Sequence, residues 1–268
     1  MSRGALPLGG AAIALAMTLA MMGPLVTVGI WAFAEQWRYP NLLPTDWGLR
    51  LWAQTLSRES VTGPILTSLA LASITTSIAA LICWPAAYAF ARLRFPGRRI
   101  LFFAFLAAQA FPKFPLYVAI AVLFLQLGLV GTFWGVVMVQ LMSALLFMIW
   151  IPTAAFRAMP ATLEEAAFDL GASRLRVFLE VTLPQALPAL AASYILGFVA
   201  VLFEVEAGLL IGAPTITTMP MQLLVLSTQI VVQQAAVLCV LIWAPCLLLL
   251  VLSRRLISAK GIAQGFGA

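Results

Sequence analysis

The chain has 268 residues, 63% of them apolar and 9% charged, with a formal net charge of +6. A soluble domain carries roughly 45–50% apolar and 25% charged residues, so there is too little polar side chain here to clothe a water-exposed surface, and the bilayer is the solvent this composition fits. No histidine occurs, which excludes Ser-His and Cys-His nucleophiles, histidine-ligated metals and histidine proton relays.

The three cysteines, Cys83, Cys239 and Cys246, lie in apolar runs without C-x-x-C spacing and read as small hydrophobes rather than as a disulfide, zinc or cluster framework. The expectation is a chain with no catalytic residue, no metal site and no bound cofactor.

A bilayer-crossing helix needs about 20 largely apolar residues, and six stretches qualify: 8–34, 64–91, 100–127, 133–156, 188–212 and 233–252. The first follows Arg3 and contains the small-residue site Ala14-Leu15-Ala16, but its apolar run continues to Phe33, beyond the length of a signal-peptide core. It is therefore predicted to be an uncleaved span. After it, Trp31, Trp37, Trp47 and Trp52 surround a segment, 35–63, whose Pro40, Pro44 and Asn41–Asp46 turn chemistry predict a short irregular cap at the outer interface. No internal repeat is present.

The basic residues give the orientation. With both termini inside, the cytoplasmic segments collect Arg3, Arg92, Arg94, Arg98, Arg99, Arg157, Arg174, Arg176, Arg254, Arg255 and Lys260, which is 11 of the 15. Arg38, Arg50 and Arg58 fall outside, and Lys113 falls within a span. This bias predicts both termini in the cytoplasm. The positive charge is thus spent on orientation, and without interleaved aromatic residues it does not describe a nucleic-acid surface.

The longest inside loop, 157–187, holds four of the nine acidic residues: Glu164, Glu165, Asp169 and Glu180. Thr162 and Glu165 have capping-box spacing, Glu164 and Glu165 suit a first helical turn, and Gly171 can take the left-handed conformation that ends a helix. Ser173 can cap a second helix, with apolar positions Leu175, Phe178, Leu179 and Thr182 at a 3.6-residue period until Leu183-Pro184 breaks it. Helix, glycine corner, helix is the predicted order.

This loop resembles the EAA loop of type I ABC importer permeases: Glu165-Ala166-Ala167, then Gly171, Val181 and Leu183-Pro184 stand at the family spacing without a gap. Residue frequencies put a chance match at about 10⁻⁷ per starting position. Arg94-Phe95-Pro96-Gly97-Arg98 also matches a common turn of that family, and the likeness covers residues 61–255.

What the resemblance implies is an all-α polytopic fold with six transmembrane helices, multi-pass in a bacterial inner membrane. Residues 1–60 would form the first helix and outer loop, 61–255 the permease domain, and 256–268 a cytoplasmic tail. The first loop helix would be a coupling helix, with Glu164, Glu165, Ala166, Ala167, Asp169, Gly171 and Pro184 as its coupling residues. The implied partners are a second permease, two ATPase subunits that bind ATP and Mg, and a soluble or lipid-anchored substrate-binding protein. This chain has no G-x-x-x-x-G-K-[ST] phosphate loop of its own.

Lys113, Glu204 and Glu206 lie inside predicted spans. An unpaired charge at the bilayer centre costs about 3 kcal/mol on insertion scales, so such residues face a cavity, a partner or an interface, and all three are candidates for the translocation path. Glu204 and Glu206 are about 200° apart on a regular helix and cannot both face one narrow path unless the helix is locally unwound. Glu204 is preferred because the resembling permeases carry an acidic residue there. Lys113 could instead pair with Glu204 as an interhelical tie.

On solute, Asp169-Leu170-Gly171-Ala172-Ser173 is worded like the polyamine, iron, thiamine and phosphonate permeases, and Gly212–Pro220 like the outer loop of spermidine/putrescine permeases. That branch is the expectation. A sugar or sugar-phosphate permease of the same architecture is the alternative, and an intramembrane enzyme the reading from another class.

Overall fold

The computed structural model describes residues 8–37, 40–107, 109–228 and 232–253. Arg3, Arg38, Arg254, Arg255, Lys260 and the tail 256–268, which enter the predictions above, lie outside the described residues. The chain runs through α1 (Leu8–Phe33), β1 (Ala34–Gln36), β2 (Asp46–Trp47), α2 (Arg50–Leu56), α3 (Glu59–Arg92), α4 (Arg98–Ala107) and α5 (Lys113–Gln126). It continues with α6 (Phe133–Ala158), α7 (Thr162–Asp169), α8 (Arg174–Val177), α9 (Leu183–Leu202), α10 (Met219–Thr228) and α11 (Val232–Ser253).

Among the described residues five helices are long and apolar enough to cross a membrane: Ile13–Phe33, Glu59–Arg92, Phe133–Ala158, Arg174–Leu202 and Val232–Leu252. The predicted span 100–127 is instead two shorter helices, α4 and α5. Pro112 has no amide hydrogen to continue a ladder, and at φ −57°, ψ 123° it caps α5 in an extended conformation.

The predicted span 188–212 also differs. Leu183-Pro184 does not break the helix, because a π turn over Phe178–Thr182 joins α8 to α9 in one rod from Arg174 to Leu202. The wider turn accommodates a proline whose ring would otherwise crowd the carbonyl four residues back. The rod ends at Leu202, and after a non-helical stretch a second π turn covers Gly208–Gly212.

The described chain falls into two compact units, one holding the residues up to Thr62 with Gln222–Ala244, the other Gly63–Met221 with the residues from Pro245. In the first, Ala32, Ala236 and Val237 are buried among Val28, Trp31, Trp52, Val240 and Leu241. The outer segment is more ordered than the irregular cap predicted for it. β1 and β2 pair antiparallel with Ala34 opposite Trp47 and Gln36 opposite Asp46, and the Glu35–Arg50 ion pair at 3.2 Å ties the hairpin to α2. Trp52 Nε1 donates to the Ala32 carbonyl at 2.7 Å, and the Trp31 and Trp37 rings stack at 4.4 Å. Indole rings with one polar edge thus hold the turn that the prolines only initiate.

In the second unit α6 and α9 form the central pair. A Cβ at Gly197 would stand 2.8 Å from Met148 Cε and 3.7 Å from Thr76 Cγ2, so glycine is what lets α9 lie close against α6 and α3. One core cluster gathers Leu71, Tyr117, Val136, Val137, Val139, Ala207 and Ile211; another gathers Ala87, Phe156, Ala186 and Leu190. The outward faces carry large apolar side chains, such as Leu66 and Leu81 at 70% and 77% exposure. Such surface is costly in water and at no cost in lipid.

Candidate functional site

At the basic-rich end, α7 begins at Thr162 itself. Ala161 occupies the cap position and no side chain caps the helix, so the capping box predicted from Thr162 and Glu165 is not formed. Two other local expectations hold: Gly171 has φ +82°, and Ser173 Oγ accepts from the Arg176 amide at 3.4 Å to start α8. Of the predicted apolar stripe on the second helix, Thr182 is buried and Phe178 half-buried, while Leu175 and Leu179 are exposed; Val177 takes the inner position.

The two adjacent glutamates of α7 point to different sides. Glu164 is buried. Its Oε1 accepts from Thr182 Oγ1 at 2.9 Å and lies 3.4 Å from Arg92 Nε, and its Oε2 accepts from Tyr88 Oη at 3.4 Å. Arg92 in turn donates to the Met159 carbonyl at 2.8 Å. Tyr88 packs edge-on against Phe156 and Phe178, with ring centroids at 5.6 and 5.0 Å. Glu165, Ala166 and Asp169 are exposed, as is Pro184, while Ala167 is half-buried.

One glutamate therefore anchors the helix to α3 and to the π turn, and its neighbour faces outward beside exposed Leu163, Phe168 and Leu170. Tyr88 was not named from the sequence, and Arg92 and Thr182 were read only as an orientation charge and a helix position, not as partners of Glu164. Helical spacing held a partial signal, since Glu164 and half-buried Ala167 are three positions apart and share the inner face of α7.

The second cluster is built around Glu204, buried just beyond the end of α9. Phe203, Glu204 and Val205 are not helical. Sequence geometry required such a local unwinding for Glu204 and Glu206 to face one place.

Glu204 Oε2 accepts from Lys113 Nζ at 3.0 Å and from Ser143 Oγ. Lys113 Nζ also donates to Ser143 Oγ at 3.1 Å, and Tyr117 Oη stands 3.3 Å from the same hydroxyl. The break after α9, the first turn of α5 and the middle of α6 thus converge on one carboxylate. Its other oxygen, Oε1, is buried and receives no donor. Glu204 is 1% exposed at its side chain and Lys113 is 41% exposed, so the lysine is the accessible end of the pair. Ser143 and Tyr117 were missed by the sequence reading because a serine and a tyrosine in apolar helices carry no distinguishing pattern. Among the described residues no group of His, Cys, Asp and Glu side chains is placed to hold a metal ion.

Among the described residues, five helices long and apolar enough to cross a membrane, with a braced helix-turn-helix between two of them, define a polytopic α-helical membrane protein. The chain belongs to the family of binding-protein-dependent transport system inner membrane components, whose model matches residues 80–260.

It is 33% identical over 162 residues to the diacetylchitobiose uptake system permease protein NgcG of Streptomyces coelicolor, a match covering 59% of this chain and 53% of that one. It is 32% identical over 189 residues to the maltose/maltodextrin transport system permease protein MalG of Vibrio vulnificus, covering 64% of each. The chain therefore spans about half the length of the first relative and 64% of the second. The fold is that of a chain in the crystal structure of a bacterial ABC transporter involved in the import of the acidic polysaccharide alginate, with a TM-score of 0.63 at 20% identity over 92% of this chain and 95% of that one.

Proposed function

We propose that this chain is one permease subunit of an ATP-driven, binding-protein-dependent importer and forms half of a path for a sugar. The observation that carries the reading is the unbroken Glu165-to-Pro184 pattern on a rigid, outward-facing helix, in a chain whose relatives include permeases named for diacetylchitobiose and for maltose. These relatives favour the sugar alternative over the polyamine, iron, thiamine or phosphonate branch. The wording that pointed to that branch, Asp169 to Ser173, ends the outward-facing helix and turns the corner after it. It is read by a partner rather than by the solute.

In this proposal residues 1–60 supply the first helix and outer loop, 61–255 the permease domain, and 256–268 a tail, with both termini cytoplasmic. A second permease completes the path, two ATPase subunits hold ATP and Mg below, and a binding protein delivers solute from outside. Glu165, Ala166, Ala167 and Asp169 dock on an ATPase. Gly171 and Pro184 shape the corner and the rod, and Glu164 positions the docking helix from within.

Glu204, Glu206 and Lys113 line the path. Two carboxyl groups and an ammonium beside Ser143 suit a hydroxyl-rich solute, since each hydroxyl both donates and accepts. Transport is alternating access: closure of the ATPases moves α7 as a rigid body and tilts the spans, and hydrolysis resets them.

The test is reconstitution with the neighbouring binding protein and ATPase in liposomes. Maltose, trehalose or a chitobiose derivative should stimulate ATP hydrolysis and enter, whereas spermidine, a phosphonate or thiamine should not. Glu165→Arg and Gly171→Pro should each release the ATPase. Full retention of a coupled ATPase by both variants would end the coupling-helix assignment, and stimulation by spermidine alone would end the sugar one.

A further inference from the structure

The basic end of the second unit contains arginines that neither the coupling helix nor the path uses. Among the described residues, the ion pairs engage Arg50, Arg92, Lys113 and Arg176. Arg94, Arg98, Arg99 and Arg157 have no carboxylate partner, yet they converge. A cavity of about 460 Å³ is lined by Arg94, Arg98 and Arg99 with the Phe95–Gly97 turn, and one of about 270 Å³ by Arg98, Arg99 and Arg157 with Phe102 and Phe103. The two share Arg98 and Arg99 and so adjoin.

Four like charges around one recess repel each other, and water alone screens them over about 8 Å at physiological salt. Two of the guanidiniums are nevertheless held in place by the protein. Arg98 Nη1 donates to the Leu93 carbonyl at 3.0 Å, and Arg157 Nη2 donates to the Phe90 carbonyl at 3.4 Å while its Cζ lies 5.2 Å from the Phe102 ring centre. Neutral carbonyls and a ring orient a cation without cancelling its charge. The arrangement is one that awaits an anion.

We propose that this recess binds the phosphate of an anionic membrane lipid. The phosphate chemistry comes from the charge: guanidinium forks match phosphate oxygens, and several of them face one cavity. The lipid source comes from what borders the cavity. Ile100 and Phe103, in the first turns of α4, are 77% and 63% exposed beside the arginines, and Leu101 is 48% exposed.

A headgroup held by Arg98, Arg99 and Arg157 therefore has an apolar ledge next to it on which its acyl chains lie, which a soluble phosphate would leave bare. Basic pockets between membrane helices on the cytoplasmic side are suited to headgroups of this charge. The site requires only that this end of the helices meets the membrane surface, and it stands whichever solute the path carries.

The experiment is native mass spectrometry of the delipidated importer complex in detergent, titrated separately with cardiolipin, phosphatidylglycerol, phosphatidylcholine and inorganic phosphate. The parent should retain the anionic lipids about tenfold better than phosphatidylcholine. Arg98→Gln/Arg99→Gln/Arg157→Gln should lose that preference, while Arg174→Gln/Arg176→Gln on exposed α8 keeps it. Arg99→Gln alone, whose side chain makes no hydrogen bond among the described residues, guards against a folding defect in the triple variant and should weaken retention about threefold.

Equal retention of anionic and zwitterionic lipids would overturn the proposal, and so would an equal loss in the α8 control. Displacement of the lipid by low-millimolar inorganic phosphate would assign the recess to a soluble anion. Retention of the anionic lipids by the ATPase-free permeases but not by the full complex would assign it to a protein interface.

Discussion

Removing the Glu164 carboxylate separates a positioning role from a docking role. Glu164→Ala leaves Arg92 in place with its side chain 16% exposed, and the pair it breaks is itself 9% exposed on the glutamate side. Breaking a buried pair from one side costs about 3–5 kcal/mol. Here the separation is 3.4 Å, Arg92 Nε makes no aligned hydrogen bond, and the guanidinium keeps the Met159 carbonyl. The ionic part is therefore worth less than that range, about 1–2 kcal/mol.

Thr182 loses its 2.9 Å acceptor but retains the Val177 carbonyl at 3.4 Å, and the weak Tyr88 contact adds little, so about 1 kcal/mol more is expected. The sum is about 2–3 kcal/mol, against about 0.5 kcal/mol or less for Glu165→Ala on the exposed side. Denaturant unfolding of the purified chain in detergent, followed by co-purification with the ATPase, measures both halves. Glu164→Ala should unfold earlier, and Arg92→Ala/Glu164→Ala should recover about 1 kcal/mol of that loss. Glu165→Ala should unfold like the parent while binding the ATPase less well. Equal stability of the two single variants would refute the division of labour between the adjacent glutamates.

Glu204→Gln keeps an acceptor for Lys113 and Ser143, so the importer should assemble with its ATPase while transport in liposomes falls by about tenfold or more; transport at the parent rate would remove Glu204 from the path. Lys113→Met leaves the buried Glu204 carboxylate without its cation and should destabilise the chain by about 2 kcal/mol in the same unfolding assay, a value reduced because Lys113 is 41% exposed. Gly171→Ala forces an L side chain to φ +82° and should cost about 1–2 kcal/mol although nothing crowds the site, with the loss read as earlier unfolding. Trp52→Phe removes the 2.7 Å hydrogen bond to Ala32 and should cost about 1 kcal/mol by denaturant unfolding.

The architecture and the corner at Gly171 were legible because they rest on short-range rules: apolar run length, a glycine where φ must be positive, a serine before a helix. Expectations failed where a local rule had an alternative solution. Pro184 reads as a helix breaker, but a π turn absorbs it. Thr162 reads as a cap, but it lies one residue too late in the chain to act as one.

The apolar run 100–127 is long enough for one span, and its length alone did not reveal that α4 stops at Ala107 and that Pro112 caps a separate α5. The Lys113–Glu204 tie could be raised from the sequence because charges are so scarce in this chain. Ser143 and Tyr117 could not, since their partners lie 26 to 61 residues away and no pattern links them. The same holds for Arg92 and Glu164, a basic residue that the orientation rule had already explained.

The coupling end and the charge cluster, separate in the sequence, meet on one element. The rod from Arg174 to Leu202 has 29 residues, which at a rise of about 1.5 Å per residue gives roughly 40 Å, more than the hydrocarbon thickness of a bilayer. Near one end Thr182 holds Glu164 of α7; two residues past the other end Glu204 holds Lys113 and Ser143. Between them Gly197 brings the rod against Met148 and Thr76 with no side chain of its own to yield.

If α7 is the docking helix as proposed, a close-packed rod would transmit its displacement rather than absorb it, toward the non-helical stretch Phe203–Val205. In the proposed alternating-access cycle the groups carried there, Glu204 with its partners Lys113 and Ser143, are the ones that would exchange partners as the path opens. A carboxylate placed just past the helix end, rather than within it, can accept from groups on two other helices, Lys113 of α5 and Ser143 of α6, and this is the geometry the proposed path requires.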